Sequence, residues 1–479
     1  MGFQSLSFLL LLALTAVLCP LAAKKSRPAG ILLLTLFSVI FYLWGLGSHA
    51  TLGLAALVLG SLVTFAAARA FHFRRETPRK WALAMAAAWH IAVLLGFKYL
   101  GFFTGGTVSP GWAPLGLSFF TFQQLWFLKE VGTGEFSLSE STRLRGDEFA
   151  LFFLFFATVS SGPILRPSGF FPQLRGEKFL CPDWEDRAAG LYAISFGMAK
   201  KVLLADSLGA VVNGGYAHLD GLTAPAAWLV ILGYTLQLYF DFSGYCDIAT
   251  GAARLLGLRL PINFDSPYRS LSVGEFWKRW HITLTTFLRE CLYFPLGGSR
   301  RGEMRTYGNI LLVFLVSGFW HGAGWTFLVW GLLHGLAQVI ERAAGARLTR
   351  LPKALRWTGT FLFVNLAWVF FRAPSFSAAA SVLRSAFSIG GGIPPFLTEN
   401  LLPSETTALS ALGLGPNAGN LLLAAVFLIA LLAALKPGNT IRRMETFRPA
   451  FLRGSVCCIL LAWAVLSFSG VSTFIYANF

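Results

Sequence analysis

A chain of 479 residues with 55% hydrophobic and only 13% charged residues cannot coat a water-soluble globule with polar surface. A mean hydropathy of +0.63, with 46 Phe and 15 Trp, instead makes lipid part of the solvent. The net charge of +17 raises nucleic acid as a partner, but Lys and Arg cluster in short stretches between apolar runs, as on cytoplasmic loops, and this pattern excludes it.

The first apolar run, Ser7 to Ala23, has no Lys or Arg before it; the charge follows at Lys24, Lys25 and Arg27. That order predicts a retained first span with an extracytoplasmic N-terminus, not a secretory leader. Reading apolar runs of about 20 residues as spans predicts crossings at 4–23, 30–47, 50–70, 81–103, 112–128, 188–207 and 225–243, and three more at 356–373, 419–435 and 454–471. Basic loops at 24–27, 69–80 (Arg69, Arg74, Arg75, Arg79, Lys80) and 436–453 alternate with nearly uncharged ones at 48–50, 104–111 and 375–418. The alternation predicts a multi-pass protein with both termini outside the cytoplasm.

The run 148–165 breaks the count, because the mixed-charge stretch 166–187 that follows it looks cytoplasmic. A re-entrant segment is expected there, turning at Ser160-Ser-Gly-Pro-Ile-Leu-Arg166. The section 244–306 is the most polar of the chain and is expected at the cytoplasmic face. Within it, Ser272-Val-Gly-Glu275 fits a capping box. Trp277, Trp280, His281, Leu284, Leu288 and Cys291 then recur at helical spacing, which predicts an amphipathic helix lying in the membrane surface.

The stretch 307–341 is bounded by Arg300, Arg301 and Arg305 before it and by Arg342, Arg347 and Arg350 after it, so both ends are expected to be cytoplasmic. Its length is too short for two crossings of a ~30 Å core, so a helical hairpin that stops inside the membrane is expected. Gly318, Gly322 and Gly324 supply its turn, and His321 sits at the apex, about 21 Å deep along a straight arm from residue 307. Non-helical backbone at that depth implies a cavity around His321. The fold class is therefore all-α: a polytopic transmembrane protein of about 10–12 spans plus re-entrant and in-plane helices. It is organised as one domain over 1–479, with N-terminal spans in 1–130, a core in 131–350 and C-terminal spans in 351–479.

The six cysteines, Cys19, Cys181, Cys246, Cys291, Cys457 and Cys458, show neither C-x-x-C pairs nor metal-ligand spacing, so no disulfide framework and no metal is expected. His49, His72, His90 and His218 have no second polar feature around them and read as structural. His321 differs in its depth, its glycine turn and the flanking Trp320 and Trp325. A neutral imidazole there suits general-base removal of a hydroxyl proton; a hydrogen bond that packs helices is the competing reading. Asp241 and Asp247, six residues apart, do not share a helical face and form no dyad. Asp241 is expected to pair with an Arg or to cap a broken helix, and His334, 13 residues past His321, to face away.

Several runs together resemble the membrane-bound O-acyltransferase (MBOAT) family. They are Leu238-Tyr-Phe-Asp-Phe-Ser-Gly-Tyr-Cys-Asp247, Leu255-Leu-Gly-Leu-Arg-Leu-Pro261, Asn263-Phe-Asp-Ser-Pro-Tyr268, Phe276-Trp-Lys-Arg-Trp-His-Ile-Thr283, Tyr293-Phe-Pro-Leu-Gly-Gly-Ser299, Ser317-Gly-Phe-Trp-His-Gly322 and Trp330-Gly-Leu-Leu-His-Gly335. Phe41-Tyr-Leu-Trp-Gly45, Gly96-Phe-Lys-Tyr-Leu100, Pro114 to Gln123 and Lys200 to Asp206 extend the likeness over nearly the whole chain. Order and spacing are those of the bacterial polysaccharide-acetylating branch.

The resemblance implies a helical funnel with a tunnel through it, His321 as catalytic residue and His281 as a second polar position. It also implies acetyl-CoA as a cytoplasmic donor, with no permanently bound cofactor, and a bacterial cytoplasmic (inner) membrane location. The acceptor it implies is a hydroxyl on an extracytoplasmic acyltransferase- or esterase-like partner that serves a polysaccharide. Lys278, Arg279 and Arg289 are candidates for steering the CoA phosphates. Trp320, Gly322, Asn263, Asp241 and Asp247 are further motif positions. The chain departs from the branch at Glu290-Cys291, where Asp and an aromatic ring are usual, and at Lys129-Glu130. Two other functions fit the residues: transfer of D-alanyl or acyl groups from a carrier-protein thioester, and a transporter or flippase, the latter weakened by the lack of an inverted repeat.

Overall fold

A polar backbone that crosses lipid must satisfy its own hydrogen bonds, and the chain does so with helices. The computed structural model describes residues 2–45, 49–72, 80–108, 110–136, 145–468 and 475, and among them no strand occurs. Arg74, Arg75 and Arg79 of the expected basic loop, and the end of the expected last span, lie outside the described residues. Seven helical segments among the described residues are long and apolar enough to cross a membrane: Leu6–Lys25, Arg27–Gly45, Thr51–Phe71, Lys80–Phe103, Trp184–Ala217, Lys353–Arg372 and Ala418–Leu435.

In chain order, α1 (Leu6–Lys25), α2 (Arg27–Gly45), α3 (Ala50–His72) and α4 (Lys80–Leu94) pack in sequence. α4 runs through a π turn at Leu95–Tyr99 into α5 (Leu100–Phe103). α6 (Leu117–Thr133) lies inside against α3 and α4. α7 (Gly146–Leu154) and α8 (Pro167–Arg175) flank a buried, non-helical stretch at 155–166. α9 (Trp184–Met198), a π segment at Ala199–Ala205 and α10 (Asp206–Ala217) make one long rod. That rod packs along α11 (Ala224–Arg254), whose 31 residues span about 47 Å.

Next come α12 (Val273–Arg279), α13 (Ile282–Leu288), and the antiparallel pair α14 (Glu303–His321) and α15 (Trp325–Ala344). α16 (Ala346–Thr349), α17 (Lys353–Arg372), α18 (Phe376–Ala386), α19 (Pro403–Leu409), α20 (Ala418–Leu435), α21 (Thr440–Glu445) and α22 (Phe451–Leu466) complete the chain.

The expected spans at 112–128 and 225–243 are helices, α6 and α11, yet they are not among the seven apolar segments. α6 is shorter than any of the seven, at 17 residues, and the polar residues of both helices face protein. α11 buries Gln237, Asp241, Ser243, Asp247 and Thr250, and α6 buries Gln123, Gln124 and Glu130, so both meet protein and not lipid. The re-entrant expectation at 148–165 has a physical counterpart. α7 is nine residues, about 14 Å, too short to cross, and the chain then turns back without helix. Protein groups replace the missing backbone partners: Gln123 Nε2 donates to Phe152 O at 2.7 Å, Phe156 N–H to Ser38 Oγ at 3.2 Å, and Ile164 N–H to Thr283 Oγ1 at 3.2 Å. Gly116, at φ +72°, lets the turn approach closely, since a Cβ there would lie 2.2 Å from Val159 O.

The surface helix expected over 272–291 is not what forms. Ser272 caps α12 by accepting from Glu275 N–H at 2.9 Å, but the helix ends at Arg279 and His281 takes a left-handed conformation (φ +43°, ψ 55°) before α13 starts. Trp277, Trp280 and His281 are all buried. Helical spacing alone could not register the break, because two short helices joined by an extended Trp280 and a left-handed His281 present the same apolar residues to one core.

Candidate active site

The hairpin sets the geometry. α14 and α15 can touch because Gly318 and Gly331 face each other's helices: a Cβ on Gly318 would lie 2.4 Å from Phe327 O, and one on Gly331 2.4 Å from Phe314 O. The chain reverses over Gly322-Ala-Gly, with Gly324 N–H donating to Gly322 O at 2.9 Å. Gly322 is required for space more than for flexibility: its φ of −171° is ordinary extended backbone, but a Cβ would sit 2.2 Å from the Phe327 ring. His321 is the last residue of α14, and 19 residues of helix place it about 28 Å from the arm's start if straight.

The imidazole is 1% exposed. Aromatic rings surround it: Trp320 at 4.7 Å between centroids, Trp330 at 5.0 Å and Phe371 of α17 at 5.2 Å, all edge-on. The indole N–H groups of Trp320 and Trp330 and the Ser317 hydroxyl, one turn earlier, are buried with no hydrogen-bond partner among the described residues. Donors and an acceptor thus lie together in a low-dielectric place, where each is expensive to leave unmatched and strong when a substrate matches it.

The structure brings His281 to the same cluster. Its ring lies 6.2 Å from the Trp320 ring, which also packs on His321, and 4.8 Å from Phe242. Asn263 holds it. Asn263 Oδ1 lies 3.2 Å from His281 Nδ1 and accepts from Thr283 N–H at 3.1 Å and Thr283 Oγ1 at 3.0 Å. An oxygen already accepting from a backbone N–H makes Nδ1 the donor, so the basic nitrogen of His281 is Nε2. His334 does not face away. The rotation that predicted so assumed one continuous helix, and the hairpin reverses the chain: His334 packs 5.1 Å from the Trp330 ring that also touches His321, and its Nδ1 accepts from Trp277 Nε1 at 3.1 Å.

Of the three cations expected near the donor, Lys278 and Arg289 border one cavity of about 280 Å³ that runs past Thr285 and Phe314 to Ser317. Arg279 does not. Its guanidinium binds Glu275 at 2.8 Å and lies 3.9 Å from Asp265, away from the cavity. Asp241 and Asp247 point to different partners, as their spacing requires, but the partners are lysines and not an arginine. Asp241 pairs with Lys201 at 2.7 Å and accepts from Ile475 N–H at 2.8 Å; Asp247 pairs with Lys200 at 2.6 Å. The π segment at Ala199–Ala205 aims the two adjacent lysines at separate carboxylates.

Two residues that composition and spacing did not single out belong to the site. The broken end of α14 leaves buried carbonyls in need of donors. Tyr99 Oη donates to Phe319 O at 2.8 Å, and Lys98 Nζ donates to Trp320 O and to Ser118 Oγ at 3.1 Å. Lys98 also places its charge 5.6 Å from the Trp320 ring, at the negative end of the α14 dipole. The signal was present, since Lys98 is the lone charge inside the apolar run 81–103. The family departures meet in one place: Glu290 pairs with Arg166 and, at 3.4 Å, with Lys129, while Glu130 accepts from Ser168 N–H at 3.0 Å. Three of the histidines read as structural have partners of their own: His90 Nε2 lies 2.8 Å from Thr64 Oγ1, His49 stacks on Trp112, and His218 bonds Gly214 O, while the His72 side chain lies outside the described residues.

Residues 114–383 match the family model described as MBOAT, membrane-bound O-acyltransferase family. The chain is 38% identical over 371 residues to the peptidoglycan O-acetyltransferase of Helicobacter pylori, covering 70% of each protein. It is 36% identical over 387 residues to the probable alginate O-acetylase AlgI of Azotobacter vinelandii, covering 77% of this chain and 74% of that one. A thinner likeness, 30% over 253 residues and 48% of this chain, links it to the teichoic acid D-alanyltransferase of Streptococcus thermophilus, of which it covers 57%.

Proposed function

From the premise that this chain belongs to the membrane-bound O-acyltransferase family, and is an acyltransferase, we propose that it transfers acetyl groups from cytoplasmic acetyl-CoA across the bacterial cytoplasmic membrane. The acetyl group goes to a hydroxyl that serves a wall or secreted polysaccharide of the peptidoglycan or alginate kind. The observation that carries this is the seat of His321: a buried imidazole at the apex of a helical hairpin, with a cavity that approaches from Lys278 and Arg289 to within one turn of it.

The chemistry follows from that seat. His321 takes the proton of the acceptor hydroxyl as its oxygen attacks the thioester carbonyl; the C–O bond forms, the C–S bond breaks, and the proton passes to the thiolate, releasing free CoA and an ester. A positioned base of this kind contributes about 10² to 10⁴ in rate. The indole N–H groups of Trp320 and Trp330 are the donors we assign to the oxygen that gains charge in the tetrahedral intermediate. His281, fixed by Asn263, orients an approaching group across Trp320, and Lys278 and Arg289 attract the CoA phosphates. The acceptor hydroxyl comes from an extracytoplasmic partner protein, which passes the acetyl group on.

Membranes containing the protein, incubated with labelled acetyl-CoA or with a carrier protein charged with an acyl or D-alanyl thioester, test the donor. Base-labile label is expected from acetyl-CoA. Label from the charged carrier alone would overturn the CoA assignment in favour of the carrier route, for which the likeness to teichoic acid D-alanyltransferases is the supporting observation.

A further inference from the structure

A second cavity, of about 370 Å³, shares no lining residue with the cavity that reaches Ser317. Its walls come from α9 and the π segment after it, α11, α20 and α22. α20 packs on α10 and α11, whereas α22 packs on α9 and the π segment that follows it. The cleft between α20 and α22 is apolar, lined by Phe196, Leu203, Val426, Ile429, Leu460 and Trp463. Ile429 is 56% and Trp463 46% exposed, so the cleft opens sideways, where a spanning protein meets lipid.

One end of this cleft is basic. Lys200, Lys436 and Arg443 line it, and among the described residues no Asp or Glu does. Lys200 is partly neutralised by Asp247 at 2.6 Å. Lys436 makes no ion pair among the described residues, and Arg443 donates to a neutral group, Pro437 O, at 3.0 Å. Lys436 caps α20, and the ten residues from Val426 to Lys436 rise about 15 Å, half of a ~30 Å hydrocarbon core. An apolar slot one leaflet deep, with surplus positive charge where that leaflet's headgroups lie, has the shape and charge of one lipid with a net negative head.

We propose that the α20–α22 cleft binds a single anionic phospholipid, its phosphate held by Lys200, Lys436 and Arg443 and one acyl chain laid between the two helices. Basic pockets between membrane helices hold such headgroups by the same two terms, charge and chain burial. The site is separate from the proposed transfer chemistry, and its failure would leave that reading untouched.

The test uses the full-length protein purified in a neutral detergent and three probes: phosphatidylglycerol, phosphatidylcholine and inorganic phosphate. Native mass spectrometry and the thermal unfolding midpoint are the readouts. Phosphatidylglycerol is expected to be retained at one per chain and to raise the midpoint, while phosphatidylcholine and inorganic phosphate do neither. The double variant Lys436→Gln, Arg443→Gln is expected to weaken phosphatidylglycerol binding at least about tenfold. Should that variant fail to fold, Lys436→Gln alone, which removes a side chain with no ion-pair partner among the described residues, is expected to weaken it about threefold to fivefold. Equal retention of phosphatidylcholine, an equal shift from inorganic phosphate alone, or undiminished phosphatidylglycerol binding by the folded variants would each overturn the proposal.

Discussion

The hairpin apex and the middle of α11 both bury polar groups inside the membrane protein, and they do it in opposite ways. Along α11 each buried carboxylate has a cation: Asp241 has Lys201, which Asp206 shares at 2.7 Å, and Asp247 has Lys200; at its end Arg254 meets Asp186 of α9 at 2.7 Å. Around His321 the neighbours are rings and uncommitted N–H groups. Compensated charge fixes how helices register, because leaving one partner alone inside is costly. Uncommitted polarity in a dry, aromatic seat is what a reaction can use.

The sharpest way to break this contrast is to remove one group from each region. His321→Ala is expected to lower acetyl transfer by about 10² to 10⁴ while the purified protein keeps its unfolding midpoint. Asp241→Ala leaves Lys201 with Asp206 alone and is expected to cost about 3–5 kcal/mol of stability. A folded Asp241→Ala protein with full stability and no activity would erase the distinction.

Next in size is the hairpin itself. Gly331→Ala places a methyl 2.4 Å from Phe314 O, so the arms must part; a loss of about 1–3 kcal/mol in stability is expected, accompanied by lower activity as the apex shifts. Lys98→Met removes the charged donor on Trp320 O. A fall in kcat of about tenfold with KM for the donor little changed would mark Lys98 as a positioning residue for the His321 end of α14; an equal loss in both would assign it to donor binding instead.

The smallest expected effects are at the cavity mouth. Lys278→Gln should raise KM for acetyl-CoA about threefold at low salt and less at high salt, since an exposed charge is screened. Arg279→Gln, whose guanidinium is engaged with Glu275, should leave KM unchanged; an equal effect from both would show that the cavity does not define the donor's path.

Hydropathy and charge order were enough to read a polytopic helical protein, the re-entrant turn near Gly162, and the 307–341 hairpin with His321 at its apex. Each of these follows from local composition: lipid demands apolar runs, headgroup-side loops collect Lys and Arg, and a turn at depth needs residues without a Cβ. The family resemblance was equally legible, because it rests on residue order alone. Only the tertiary structure decided that His281 is a buried left-handed break held by Asn263, that His334 and His321 flank one indole, that Lys201 and not an arginine answers Asp241, and that Lys98 caps the His321 end of α14. Apart from the shared indole, which needs the chain reversal at Gly322, those facts join residues 18 to 222 positions apart, and a helical wheel drawn on one segment contains no information about which other segment will supply the partner.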